Sequence, residues 1–171
     1  VRGVVVGPEA RLEGFTVTEG ATLQLWYSET EASGGGLWCY GGDAVVSNCV
    51  IANNRANALA AAAYLGTFYN CAFLSNIVVA GDAVVYRATL RDCVLMGGQA
   101  TAGGGTYDSV QDRCLFYKNF SFRGGAVYGG EARNCLMYGN GDSQHKQGGA
   151  SYNANLISCT LVGNMSANGG G

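Results

Sequence analysis

The sequence predicts an all-β fold: one parallel β-helix, a solenoid of about seven coils with 21–24 residues in each. Three observations predict it. First, Cys49, Cys71, Cys93, Cys114, Cys135 and Cys159 follow one another at steps of 22, 22, 21, 21 and 24 residues. Second, other residue types keep the same phase. Two past each cysteine stand Ile51, Phe73, Leu95, Phe116, Met137 and Leu161, and five past stand Asn54, Asn76, Gly98, Asn119, Asn140 and Asn164. Seven before the last five cysteines come Tyr64, Tyr86, Tyr107, Tyr128 and Tyr152. Third, each unit holds three short apolar or β-branched runs and no amphipathic helix, which suits one coil of a β-helix. The runs lie around the tyrosine, around the residue three before the cysteine (Val46, Phe68, Leu90, Leu156), and from the cysteine onward.

In chain order, residues 1–20 form a first coil in which Phe15 takes the cysteine position, Val17 the apolar position and Gly20 the turn. Residues 21–33 break the register and are expected as an extruded loop. That loop carries Trp26, Tyr27, Glu29 and Glu31 as candidate binding residues, because loops on rigid scaffolds often bear function. The second coil begins at Gly34, with Cys39 outside the cysteine column and Tyr40 in the tyrosine column if the coil holds two extra residues. Residues 56–65 (ANALAAAAYL) have helical propensity. The repeat overrules it, since Tyr64 and Cys71 stay in phase, so the alanines replace glycines at a turn and strand start. A second insertion, residues 141–147, supplies the other candidate loop residues, His145 and Lys146.

Every repeated position then has an architectural reading. The cysteines alternate with apolar residues on one strand face and behave as small core hydrophobes. Coils stack ~4.8 Å apart, but in-register side chains point the same way and give a poor disulfide dihedral, so free thiols are expected. The residues five past the cysteine tolerate the left-handed conformation and mark a turn, and their amides can stack as a ladder. The tyrosines form a column that packs if it faces inward and offers an aromatic strip if it faces outward. Arg91, Asp112 and Arg133 fall on successive coils as a plus, minus, plus column, with Arg87–Asp108 and Asp92–Arg113 as further opposite pairs. Opposite charges across neighbouring strands stabilise a sheet by up to ~1 kcal/mol.

The 171 residues include 28 glycines, one proline and 13% charged residues, with a net charge of −2. This balance fits a single folded domain over residues 1–171 and offers no field for nucleic acid or an anionic membrane. The longest apolar run, residues 58–66, is too short to span a bilayer. The glycines at 169–171 fall where another unit should begin, so a longer array is expected. His145 has no cysteine or second histidine at metal-ligand spacing. Asn119-Phe120-Ser121 and Asn164-Met165-Ser166 match the glycosylation sequon within turns. No phosphate-binding loop is present.

The unit GG-A-x-Y followed by N-C-x-apolar-x-x-N, seen whole at residues 124–140, resembles the repeats of right-handed parallel β-helix proteins of the pectate-lyase-like superfamily. It is especially similar to bacterial surface proteins of the polymorphic-membrane-protein and autotransporter-passenger type, with their GGA and FxxN signatures. The resemblance implies a right-handed coil and a secreted or cell-surface location. It also brings the superfamily's polysaccharide lyases and hydrolases into question. Such sites need clustered carboxylates for calcium, or a carboxylate pair about 6.5–9.5 Å apart, and no adjacent coils show an acidic cluster. The expected role is therefore a structural or adhesive segment, with no catalytic residue, cofactor or metal. Its expected partners are itself, through end-to-end coil stacking into filaments, or surface glycans and proteins. The rival is a polysaccharide lyase, hydrolase or carbohydrate-binding β-helix that uses outward tyrosines.

Overall fold

A computed structural model describes residues 1–23, 30–141 and 147–168. The chain is all-β, without a helix among the described residues, and its strands form three parallel sheets of seven strands each. Each pass around the coil adds one strand to every sheet. One central coil runs Val85–Tyr86 in the first sheet, Thr89–Arg91 in the second and Val94–Met96 in the third. Its neighbours pair in strict register: Tyr64↔Tyr86↔Tyr107, Phe68↔Leu90↔Gln111 and Phe73↔Leu95↔Phe116. A short fourth sheet joins Arg55–Ala56 to Ile77–Val78. The result is a β-solenoid in which six coil-to-coil steps separate the first and last strand of each sheet.

Strands this short rely on the corners between them. A regular coil turns at four left-handed residues: at its opening (Ala60, Ala83, Gly103, Gly124), one past the tyrosine (Leu65, Arg87, Asp108), one before the cysteine (Asn48, Asn70, Asp92, Arg113) and four past it (Asn53, Ser75, Lys118). The last of these corrects an expectation. The left-handed residue is the one before the asparagine column, and Asn54, Asn76, Asn119 and Asn140 are needed for their amides. Those side chains are buried and linked coil to coil. Asn54 donates to Oδ1 of Asn76 at 3.0 Å, Asn119 to Asn140 at 3.0 Å, and Asn140 to Asn164 at 2.9 Å. Each amide also donates to a main-chain carbonyl, as Asn119 does to Leu95 at 2.8 Å. The column therefore satisfies backbone groups that the corner would otherwise leave unpaired. It is interrupted at Gly98, where a Cβ would meet the Gly104 carbonyl oxygen at 2.2 Å.

The core is filled by one inward residue per strand, with Phe68, Phe73, Phe116, Leu90, Leu95 and Met137 essentially inaccessible. The cysteine column lies at its margin. Cys49, Cys71, Cys93, Cys114 and Cys135 are buried, Cys159 is half-buried, and all are free thiols, as is Cys39. Each column thiol hydrogen-bonds the carbonyl two residues before it, from 3.0 Å at Cys135 to 3.4 Å at Cys114 and Cys159. Burial pushes the Cys39 thiol up to about 12. Cys71 and Cys114 are also pushed up, first by hydrogen bonding to the neighbouring thiols Cys93 and Cys135 and then by burial. Phe15, in the corresponding place of the first coil, is 58% exposed and contributes no core side chain.

Residues 56–65 follow the repeat and not their helical propensity. Ala60 occupies the left-handed place of Gly34 in the coil before, and Ala60, Ala61, Ala62 and Ala63 are fully buried. One coil carries a polar exception in the core. Gln111 is fully buried, donates to Thr106 Oγ1 at 3.0 Å, and leaves its own Oε1 without a partner.

Candidate interaction surface

With the inside filled by packing, what the molecule offers to others lies on the outer faces of the three sheets. On the first sheet the tyrosine column faces outward. Its alternate neighbours Ala63, Val85, Thr106 and Val127 point in and are buried, while the tyrosines are half-buried. Trp38, not Tyr40, heads the column. Trp38 pairs with Tyr64 in the sheet, and their rings stack with centroids 4.2 Å apart. Tyr40 lies past the strand end, 66% exposed. The displacement arises because this coil holds four extra residues after the strand: seven positions separate Trp38 from Val45, against three from Tyr64 to its partner Thr67. Successive tyrosine rings then stack at 5.4, 5.3, 4.6 and 5.3 Å, with interplanar angles from 8° to 27°. Arg2 covers the upper face of Trp38 at 4.7 Å and donates to the carbonyls of Thr30 and Ser33. Each ring thus covers the face of the next, and what reaches solvent is a row of ring edges and hydroxyls. Sugar stacking uses free ring faces, which this column keeps to itself.

Beside the column an open hollow of about 460 Å³ is lined by Asp82, Thr101, Tyr107, Phe122, Arg123 and Tyr128. Partial burial raises the Asp82 carboxyl above the usual range, against a backbone hydrogen bond from Ala102 and the charge of Arg123. The Tyr107 phenol is raised by burial and then by Asp108, Tyr128 and Asp82. This hollow was not foreseen, because its residues come from three coils and, beyond the two tyrosines of the column, lie in the corner that leads into the first sheet. Of the candidate loop residues, Trp26, Tyr27, Glu29, His145 and Lys146 lie outside the described residues. Glu31 is exposed and acts on Arg2 through its charge. The neck of the first insertion is closed by Thr22 Oγ1 donating to the Ala32 carbonyl at 3.0 Å.

The second sheet's outer face is charged. Arg91, Asp112 and Arg133 are register partners on successive strands, as their spacing requires. Their contacts differ from an alternating column. Asp112 takes Arg91 at 3.5 Å and Arg113 at 2.7 Å, whereas Arg133 turns to Glu131 on its own strand at 2.6 Å. Residues two apart on a strand share a face, so Glu131 offers Arg133 a nearer partner than the next coil does. Arg113 also holds Asp92 through two hydrogen bonds of 2.7 Å. That contact draws the Asp92 carboxyl below its ordinary value, and Arg133 does the same to Glu131. Arg87, expected opposite Asp108, lies over the ring of Tyr86 at 5.1 Å.

The third sheet's outer face is apolar across its middle. The outward residues are mostly small in the first three coils (Thr16, Thr18, Val50, Ala52, Ala72, with Leu74 larger), large in the next three (Met96, Leu115, Tyr117, Leu136, Tyr138) and small again in the last (Thr160, Val162). Met96, Leu136, Tyr138 and Val162 are 37%, 41%, 46% and 47% exposed. Sequence reasoning missed this face, although a signal existed. The strands read CVIA, CAFL, CVLM, CLFY and CLMY, the continuous apolar pattern of strands covered on both sides.

Among the described residues no group of three or more His, Cys, Asp or Glu side chains converges to hold a metal ion. Asn119, within one sequon, is 1% exposed with its amide engaged twice, so a glycan has no access to it in the fold. Compared with protein-family profiles, curated proteins and solved structures, the chain matches none.

Proposed function

We propose that the chain is a structural or adhesive segment of a secreted or cell-surface β-solenoid, similar in kind to bacterial autotransporter passengers within the pectate-lyase-like superfamily. One observation carries the reading. The carboxylates that a polysaccharide lyase or hydrolase would gather are spread over several coils, and three of them at or beside the second sheet, Asp92, Asp112 and Glu131, each hold an arginine. A paired carboxylate neither binds calcium well nor acts as a general base, since its charge and lone pairs are already engaged. The coils supply length and stiffness, and the outer faces and insertions supply contact. The edge strands of all three sheets lie on the same two coils, so further coils, or another copy, add there by continuing the hydrogen-bond ladders.

Negative-stain electron microscopy and a glycan array test this reading. Rods about 20–25 Å across that lengthen with concentration support it, the width following from three short strands per coil. A monodisperse particle of one chain at high concentration counts against end-to-end assembly. Release of unsaturated or reducing sugar from polysaccharide overturns the non-enzymatic reading. The second reading, carbohydrate binding, is favoured by the hollow between Asp82, Arg123 and Tyr107. Glycan retention lost in Arg123→Ala supports that site.

A further inference from the structure

We infer that the outer face of the third sheet binds a second copy of this chain, face to face and with the two rods antiparallel. The face is seven strands long, ~34 Å at ~4.8 Å per strand, and about 10 Å wide. That is several hundred square ångströms, apolar except for the outward threonines of the end strands, a size at which surface patches on soluble proteins are often functional. It bears no charged side chain in the strands themselves, and their unbroken apolar pattern belongs to strands with a second covering layer.

The distribution of side-chain size identifies the occupant. Two copies of one sheet can meet face to face about a two-fold axis lying along the rod or along the strands. An axis along the rod places like coils together, setting Leu136 against Tyr138 and Leu115 against Tyr117, so that bulk meets bulk and the small coils are left hollow. An axis along the strands, through Val94–Met96, reverses the order of coils. Ala52 then meets Tyr138, Val50 meets Leu136, Ala72 meets Leu115 and Leu74 meets Tyr117. Three of these pairs set a large residue on a smaller one, as an interdigitated layer about 10 Å thick favours, while Leu74 on Tyr117 is the bulky pair and Thr16 and Thr18 meet Thr160 and Val162 at the ends. The contact is isologous, so it closes as a dimer. The margins are compatible. Lys118 meets the Ser75 corner, and the Asp92 carboxylates nearest the axis are each neutralised by Arg113. A membrane is the poorer occupant, since the rim carries no basic cluster and the chain's net charge is −2.

The projected area falls below the ~800 Å² per partner of a standard interface, which places the dimer in the weak, micromolar range. Lateral pairing doubles the width of a rod, whereas end-to-end stacking lengthens it, so the two modes separate in micrographs and in scattering. The test is sedimentation equilibrium of the whole chain across a concentration series, with circular dichroism to confirm folding. At concentrations below those at which rods lengthen end to end, the wild type should approach twice the chain mass. Ala52→Lys and Tyr138→Glu should each sediment as one chain, and the Ala52→Lys/Tyr138→Glu double variant should recover the dimer, because the new charges meet only in the antiparallel arrangement. If either single variant unfolds, Val50→Lys with Leu136→Glu makes the same test. A wild type that stays at one chain mass at several hundred micromolar overturns the proposal. So does a dimer that survives the single variants, or one that the double variant fails to restore.

Discussion

The outer faces of the second and third sheets are built by the same seven coils, one corner apart, yet one is charged and the other apolar. Their inward residues do equivalent work: Phe68 and Leu90 under the second sheet, Phe73 and Leu95 under the third. Their backbones share one register. The difference therefore owes nothing to folding the coil. A solenoid needs its inward column, its corners and its amide ladder, and leaves the outward positions to other demands. On the second sheet those positions carry Arg91, Asp112 and Glu131, which remain hydrated. On the third they carry Met96, Leu115 and Leu136, the apolar composition from which the dimer is proposed.

The largest expected effect breaks the part common to both faces. Asn119→Ala removes the acceptor of the Gly98 N–H and the donor to the Leu95 carbonyl, both buried. It should cost about 3 kcal/mol, as unpaired buried polar groups do, read as a fall in the urea midpoint. Asn70→Gly, at an exposed left-handed corner, should change stability by less than ~0.5 kcal/mol. Next in size is a gain. Replacing Gln111 by Leu together with Thr106→Val removes the unpartnered Oε1 from the core and should stabilise by about 1–2 kcal/mol, read as a rise in the same midpoint.

A smaller effect on folding separates the two faces. Val110→Glu on the second sheet and Leu136→Glu on the third should each leave stability within ~0.5 kcal/mol, while only Leu136→Glu abolishes self-association in sedimentation. Equal loss by both would remove the distinction drawn between the faces. The smallest effect concerns acid. Asp92 and Glu131 have folded-state pKa values below their unfolded ones. Their contribution is complete above the ordinary carboxylate range near pH 4 and is lost as the pH falls through the depressed folded values. Thermal melts from pH 6 to pH 2 should show a slightly shallower decline in Arg113→Ala/Arg133→Ala than in the wild type, because that variant has less to lose. Identical slopes would show the exposed pairs to be neutral.

Much of this architecture was legible in the cysteine spacing, because a stacked coil repeats each environment once per turn and so imposes a period on its residues. Phase assigns a residue to a column without fixing its side-chain partner. Arg133 was therefore assigned to Asp112 when Glu131 lay closer on its own strand. Phase also fails by one residue where a neighbour carries the same tolerance. Asn53 and Asn54 both suit a left-handed corner, and only the buried amide contacts tell them apart. Insertions break phase outright, which is why Trp38 and not Tyr40 continues the aromatic column. The hollow at Asp82 and Arg123 and the apolar outer face depend on what surrounds the coil, and a period set by packing inside it is silent there.

The gap in the amide ladder at Gly98 has a mechanical meaning. Each coil touches only those above and below it, so tension along the rod is borne in series and the weakest junction yields first. Asn54 and Asn76 tie one block of coils together, and Asn119, Asn140 and Asn164 tie another. Between them the side-chain link is missing at one junction. Asn119 still reaches the Cys93 coil, accepting from the Gly98 N–H and donating to the Leu95 carbonyl, so it is the coils of Cys71 and Cys93 that are held at that corner by backbone bonds alone. A rod pulled from its ends parts at that seam, leaving two intact halves instead of unravelling coil by coil.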